Sequence, residues 1–262
     1  MRKPEATIII PTHSATWTLE NAIESAINQE VKDIEILIVG DGVQPETRST
    51  INTFTSENDK VVFLDLLKAP HRGEMNRDIG VRRASSEFIF YLADDDLLLP
   101  NHLTNLLPLL ETKDLVQSLN TYVDFKGNLR FYPTDLGNRE YVNWHLQDPP
   151  RNCVSITGTG HRKSTYLSLS SGWEVPSLNI WPDLHLWRKF FSLSDFRGAT
   201  HFKVSAIQFP SLARKNISEN QFKDIYLTWL NLVQAKNYEV LIEEEVKSAL
   251  LSELILLHYR RF

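Results

Sequence analysis

Short apolar runs alternate with amphipathic stretches through the first half of the chain. Ala6-Thr7-Ile8-Ile9-Ile10-Pro11 is β-branched and breaks at proline, as a short buried strand does. From Thr16 the period changes. Leu19, Ala22, Ile23, Ala26 and Ile27 recur at helical spacing, with Thr16 placed as the N-cap and Glu20 near the first turn. Residues 34–39 (IEILIV) predict a second strand, 61–64 (VVFL) a third and 88–92 (FIFYL) a fourth. Residues 45–58 between them are polar with weak helical spacing, and the polar segment 71–80 leads through Val81 and Ala84 into the fourth strand. Strands alternating with helices argue for a Rossmann-like, mainly parallel sheet with right-handed crossovers. No G-x-G-x-x-G follows the first strand, where Pro11-Thr12-His13 stands instead.

After Pro100, Leu103, Leu106, Leu107 and Leu110 line one helix face. Residues 115–125 and 128–132 predict antiparallel strands around Lys126-Gly127, and 133–150 an irregular stretch. Residues 155–163 read as a glycine-punctuated turn before a short helix, and 201–210 as a late strand. Pro182 opens a helix that places Asp183 in its first turn, where the dipole favours a carboxylate. From Ser218, Phe222, Ile225, Tyr226, Trp229, Leu232 and Val233 form a broad apolar stripe. A last helix over 240–258 carries Leu250, Leu251, Leu254 and Leu257 behind Glu243-Glu244-Glu245. The chain thus divides into a main domain, 1–215, and a C-terminal helical extension, 216–262, packing on it or on another subunit as a homo-oligomer. A membrane-surface helix fits less well, because anionic lipid repels the acidic run.

The fourth strand ends in Asp94-Asp95-Asp96, just where open parallel sheets bind ligands. Three adjacent carboxylates fit either magnesium or manganese ligation shared with phosphates, or an acidic turn capping the helix after Pro100. A net charge of -5, with 28 basic residues spread along the chain, forms no basic stripe and argues against a nucleic-acid partner. The single cysteine, Cys153, excludes an intramolecular disulfide and a cysteine-rich zinc site. No signal-peptide core follows Met1, and no segment approaches the ~20 apolar residues of a membrane helix. A soluble, cytoplasmic protein is expected, with peripheral membrane contact left open.

Five ordered stretches within residues 6–191 resemble the family 2 glycosyltransferases of the GT-A fold. They are Ile8-Ile9-Ile10-Pro11-Thr12, Ile36-Leu37-Ile38-Val39-Gly40-Asp41-Gly42, Arg77-Asp78-Ile79-Gly80, Tyr91 to Pro100 with its acidic triplet, and Gly172-Trp173-Glu174 with Pro182 to Arg188. The resemblance implies a nucleoside-diphosphate sugar donor, a UDP-sugar first, a saccharide or other hydroxyl acceptor, and a divalent Mn2+ or Mg2+ ion. It places Pro11, Thr12, Asp41, Arg77 and Asp94 at the donor, with Asp41 on the base, Arg77 on base or phosphates and Asp94 near the ribose. Asp95 would ligate the metal with Asp96 beside it, and Asp183 would be the catalytic base of an inverting transfer in surface polysaccharide or glycoconjugate synthesis. Gly40 and Ala93 depart from the family pattern, each standing where an aspartate is usual.

These residue types suit the chemistry. An attacking hydroxyl must lose a proton, and a diphosphate must leave carrying charge, so a carboxylate base and a cationic clamp are both needed. Trp173 and Trp181 are candidates to stack on a sugar ring, with ordinary core as the alternative. His13, His71, His161 and His201 are candidates for phosphate or metal contact, His161 foremost because Gly158, Gly160 and Arg162 surround it. Two rival functions are a sugar nucleotidyltransferase, which lacks its glycine-rich loop here, and a non-catalytic nucleotide-sugar-binding domain.

Overall fold

The computed structural model describes residues 3–14, 17–177 and 180–259. The expected N-cap, Thr16, lies outside them. In chain order the elements are β1 (Ala6–Thr12), α1 (Thr18–Ile27), β2 (Ile34–Asp41), α2 (Pro45–Glu57), β3 (Val61–Leu66), α3 (Glu74–Arg83), β4 (Phe88–Tyr91), β5 (Leu97–Leu98) and α4 (His102–Leu110). There follow β6 (Leu115–Ser118), β7 (Thr121–Val123), β8 (Leu129–Phe131), α5 (Arg139–Leu146), β9 (Thr159–Arg162), α6 (Lys163–Ser168) and α7 (Pro182–Phe191). The chain ends through β10 (Gly198–His201), β11 (Ala206–Ile207), α8 (Ser211–Arg214), α9 (Glu219–Gln234) and α10 (Tyr238–Tyr259).

Seven strands form the central sheet in the order β10-β6-β9-β4-β1-β2-β3, and β9 alone among them runs antiparallel to its neighbours. The expected mainly parallel sheet flanked by helices is therefore present. Both faces are covered, and the strand period shows it: Ile8 and Ile10 enter one core with α1 and α4, while Ile9 enters the other with α7. Continuous apolar runs in β1 and β2 follow from that double burial.

Three expectations are corrected. Residues 155–163 are not merely a turn, because Thr159–Arg162 form β9, a strand between β4 and β6. Gly158 does make a turn at φ +84°, but Gly160 serves close packing: a Cβ there would meet the Phe90 ring at 2.5 Å. The stretch 133–150 contains helix α5, whose Asn138 cap accepts from the Glu140 N–H. Of the late strand expected over 201–210, only His201, the last residue of β10, and Ala206–Ile207, which form β11, are strand, and the two belong to different sheets.

The helix α3 was not legible, since its buried positions are Glu74, Asn76, Gly80 and Val81 rather than an apolar stripe. Near the C-terminus the Ser218 hydroxyl and the Gln221 side chain form a capping box that starts α9. Tyr226, Trp229, Leu230 and Val233 of α9 share a third core with Leu97, Leu99, Ile207 and Phe209.

Candidate functional site

The carboxyl ends of β1, β2 and β4 bring Thr12, Asp41 and Asp94 to one edge of the sheet. The Thr12 hydroxyl donates to Asp94 Oδ2 at 2.7 Å, joining two of the expected donor residues. Pro11 lies in β1 opposite Val39 of β2. Asp41 is tightly held: its carboxylate accepts from the Lys68 ammonium at 2.5 Å, the Ala69 N–H at 2.6 Å and Asn76 Nδ2 at 2.7 Å. Burial alone would raise its pKa, but these bonds outweigh it and hold the carboxyl below the usual range. Gly73, at φ +78° before α3, is required here because a Cβ would come within 2.7 Å of Asp41 Oδ2. Gly40 is explained by packing, since a Cβ there would press on the Phe63 ring at 2.9 Å. Lys68 and Asn76 were missed in the sequence, where nothing marks them as partners of a residue about thirty positions away.

Arg77, on α3, lies with its guanidinium 5.1 Å from the centroid of the Trp173 ring. Its Nη2 donates to the Arg72 carbonyl at 2.9 Å, while its buried Nε has no partner among the described residues. Burial lowers the guanidinium pKa, and the carboxylates of Glu74, Asp183 and Asp41 counter that shift. Trp173 is 3% exposed, so it is a support for Arg77 and not an open sugar platform. Its Nε1–H donates to the Tyr91 hydroxyl at 2.9 Å, which donates to His161 Nε2 at 2.8 Å. His161 Nδ1 in turn donates to the Arg162 carbonyl at 3.0 Å, which fixes the ring tautomer. His161 is thus fully buried in β9 and offers nothing to a phosphate, contrary to the expectation from its glycines. Trp181 is half exposed. His13 Nδ1 donates to the Asp41 carbonyl at 2.6 Å, His71 Nδ1 meets Glu74 Oε1 at 2.8 Å, and His201 is half-buried.

At the acidic turn the three carboxylates diverge. Burial first, and the neighbouring Asp95 charge second, push the Asp94 carboxyl up to about 6. Asp95 pairs with the Arg214 guanidinium of α8. Asp96, expected on the metal, is turned inward instead: it is 5% exposed and accepts from the Phe209 N–H at 2.8 Å. Ala93 donates its N–H to the Thr157 hydroxyl at 2.9 Å. Among the described residues no three His, Cys, Asp or Glu side chains converge to hold a metal ion. Asp94 and Asp95 nevertheless form an oxygen-only donor pair of the kind that suits Mg2+ or Mn2+, which need only one or two carboxylates when substrate phosphates complete the shell.

Asp183 stands in the first turn of α7 behind Pro182, as the sequence predicts. Its Oδ2 accepts from Asn152 Nδ2 at 3.0 Å and its Oδ1 from the Leu184 N–H at 2.8 Å. Burial raises its pKa against the opposing effect of these donors and of the Arg77 charge, leaving a carboxylate of enhanced basicity. Asn152 was missed, because it lies in a stretch with no pattern to mark it.

Residues 7–166 match the model of the family described as Glycosyl transferase family 2. The GalNAc(5)-diNAcBac-PP-undecaprenol beta-1,3-glucosyltransferase of Campylobacter jejuni is 32% identical over 104 residues, which are 40% of this chain and 34% of that protein. An uncharacterized glycosyltransferase of Rickettsia prowazekii is 30% identical over 237 residues, 87% of this chain and 72% of that protein. Among solved structures, Staphylococcus aureus TarS 1–349 in complex with UDP-GlcNAc aligns with a TM-score of 0.59 at 12% identity, over 94% of this chain and 71% of that one. The mannosyltransferase PcManGT of Pyrobaculum calidifontis, in complex with GDP-Man and Mn2+, aligns with a TM-score of 0.58 at 14% identity, over 97% of this chain and 76% of that one. These structural likenesses establish the GT-A fold.

Proposed function

This chain belongs to glycosyl transferase family 2, and on that premise we propose that it transfers a sugar with inversion from a nucleoside-diphosphate sugar to a hydroxyl acceptor. The observation that carries the reading is the basic carboxylate of Asp183, held by Asn152 and Leu184 and sensing the charge of Arg77. In this reading the acceptor oxygen attacks the anomeric carbon and the bond to the diphosphate breaks. The diphosphate leaves with the electron pair, and Asp183 takes the hydroxyl proton. Arg77, steadied on Trp173, offers its unpartnered Nε–H to the donor. Asp41 stays ionised in its cradle of Lys68, Ala69 and Asn76, shaping the base pocket with Pro11 and Thr12. Asp95, with Asp94 beside it, would hold a divalent ion, which supplies charge neutralisation for the leaving diphosphate when bound.

Uridine is the proposed nucleoside of the donor, supported by the UDP-GlcNAc complex of TarS, and Mn2+ the first metal to try, supported by the Mn2+ complex of PcManGT. A saccharide of a surface glycoconjugate is the proposed acceptor, in line with the name of the Campylobacter relative. Cytoplasmic residence is proposed with it; among the described residues no helix is long and apolar enough to cross a membrane.

Thermal unfolding with a panel of nucleoside diphosphates, with and without Mn2+, tests the reading on the wild type and on Asp95→Asn. A diphosphate at a hundredfold excess over its dissociation constant adds about 2.7 kcal/mol of stability. UDP is expected to stabilise the wild type with Mn2+ and to lose most of that effect in Asp95→Asn. No shift with any diphosphate would overturn the assignment of a donor site.

A further inference from the structure

We infer that Arg214 is the resident counter-ion of Asp95, and that it couples divalent-cation binding to diphosphate binding by leaving that carboxylate when the two bind together. The inference rests on the donor-site reading above and deepens it, because nothing in the sequence marked Arg214 or the short helix that carries it.

Three observations support the assignment. The guanidinium is hydrogen-bonded to Asp95 Oδ2, on the carboxylate expected to take the cation. Its carbon lies 4.6 Å from the centroid of the Phe222 ring, so α9 supports Arg214 from the far side as Trp173 supports Arg77. Tyr226, one turn further along α9, is fully buried with a hydroxyl that has no partner among the described residues, and the charges of Asp94, Asp95 and Asp96 act on it. The C-terminal helices therefore bring a cation, an aromatic face and a spare hydroxyl to the acidic turn.

Charge balance gives the consequence. Asp95 and Arg214 are neutral as a pair. A divalent cation added alone would set three positive charges, its own two and that of the guanidinium, against the two carboxylates Asp94 and Asp95, and the guanidinium pressed against it is repulsive at close range. A nucleoside diphosphate brings the missing negative charge and a new partner for a guanidinium, whose fork of donors matches phosphate oxygens. Cation and diphosphate should accordingly bind weakly apart and strongly together. Linkage makes such coupling reciprocal, typically about 5–150-fold.

The test measures dissociation constants by titration calorimetry, Mn2+ with and without UDP and UDP with and without Mn2+, on the wild type and on Arg214→Gln. In the variant, Mn2+ alone is expected to bind about tenfold more tightly, UDP in the presence of Mn2+ more weakly, and the mutual enhancement to shrink within the range above. Arg214→Lys, which keeps the charge, should retain part of the enhancement, and thermal unfolding of each variant without ligand checks the fold. Equal Mn2+ affinity in wild type and Arg214→Gln overturns the inference while leaving UDP binding intact. A wild type that binds no UDP in the presence of Mn2+ overturns the donor-site reading, and the Mn2+-only comparison still judges the counter-ion role.

Discussion

The Arg77 guanidinium stacks on the face of Trp173, and Trp173 is anchored from behind by its own hydrogen bond to the Tyr91 hydroxyl. A residue on α3 and a residue in the loop before α7 are thereby fixed to the central strand β4, which also delivers the acidic turn. Trp173→Leu removes the aromatic face and the Nε1–H donor together. Since a cation–π contact is worth about 0.5–2 kcal/mol, UDP affinity should fall by roughly 2- to 30-fold. Trp173→Phe keeps the ring, and isothermal titration should find its UDP affinity closer to wild type. Equal affinities for Leu and Phe would show that the ring face does not support Arg77.

Asp183→Asn tests the base. Loss of general-base catalysis costs about 10²- to 10⁴-fold in turnover, while the neutral amide occupies the same space between Asn152 and Leu184. Donor binding by calorimetry should persist within a few-fold as turnover disappears. Unimpaired turnover would remove Asp183 from the mechanism.

Asn152→Ala should alter the pH profile rather than abolish activity. The Asn152 amide stabilises the ionised form of Asp183, so its removal leaves burial less opposed and raises the carboxyl pKa further. The acid limb of kcat against pH should move to higher pH, with activity converging on wild type in alkaline buffer. A profile that merely scales down at every pH would assign Asn152 a purely structural role.

Gly73→Ala places a methyl group at a left-handed backbone position and against the Asp41 carboxylate. The backbone alone costs about 1–2 kcal/mol, and the clash adds to it by shifting Asp41 out of its cradle. Denaturant unfolding should show the stability loss, and UDP affinity should fall more than it does for a neutral surface control.

The first half of the fold was legible because strands buried on both faces read as apolar runs, as in β1 and β2, and because α1 carries a clean stripe. Asp183 was legible because Pro182 announces the helix it opens. The helix α3 hid because its inner face is polar: Glu74 accepts from the Arg72 N–H and Asn76 holds Asp41, so site chemistry replaced the apolar pattern. His161 misled for a related reason. Its neighbouring glycines looked like a phosphate loop, whereas Gly160 is small so that β9 can approach Phe90, and the imidazole completes a buried hydrogen-bond chain. Arg214 and Asn152 could not be read at all, since each acts on a carboxylate distant in sequence.

That buried chain makes stability depend on pH in a stated direction. Burial pushes the His161 imidazole down to about 4 from an ordinary value near 6.5, so the unfolded chain binds the proton more readily than the folded one. The contribution is fully present above pH 6.5 and is lost as the pH falls through 6.5 towards 4, because His161 Nε2 must stay unprotonated to accept from Tyr91. The displacement corresponds to a loss of order 3 kcal/mol across that window. His102, pushed by burial down to about 3, adds a slope of the same sign. The raised carboxyls of Asp94, Asp96 and Asp183 act in the opposite sense over the same range. Urea unfolding at a series of pH values from 7 to 4 therefore isolates the histidine contribution as a difference between the wild type and a His161 variant. His161→Gln keeps an acceptor for the Tyr91 hydroxyl but cannot be protonated, so its curve should lack a fall of about that amount relative to the wild type, with the His102 slope remaining. A variant curve parallel to the wild type would mean that His161 takes up its proton equally in the folded and unfolded chain, which would overturn its assignment as a neutral acceptor in the Trp173–Tyr91–His161 chain.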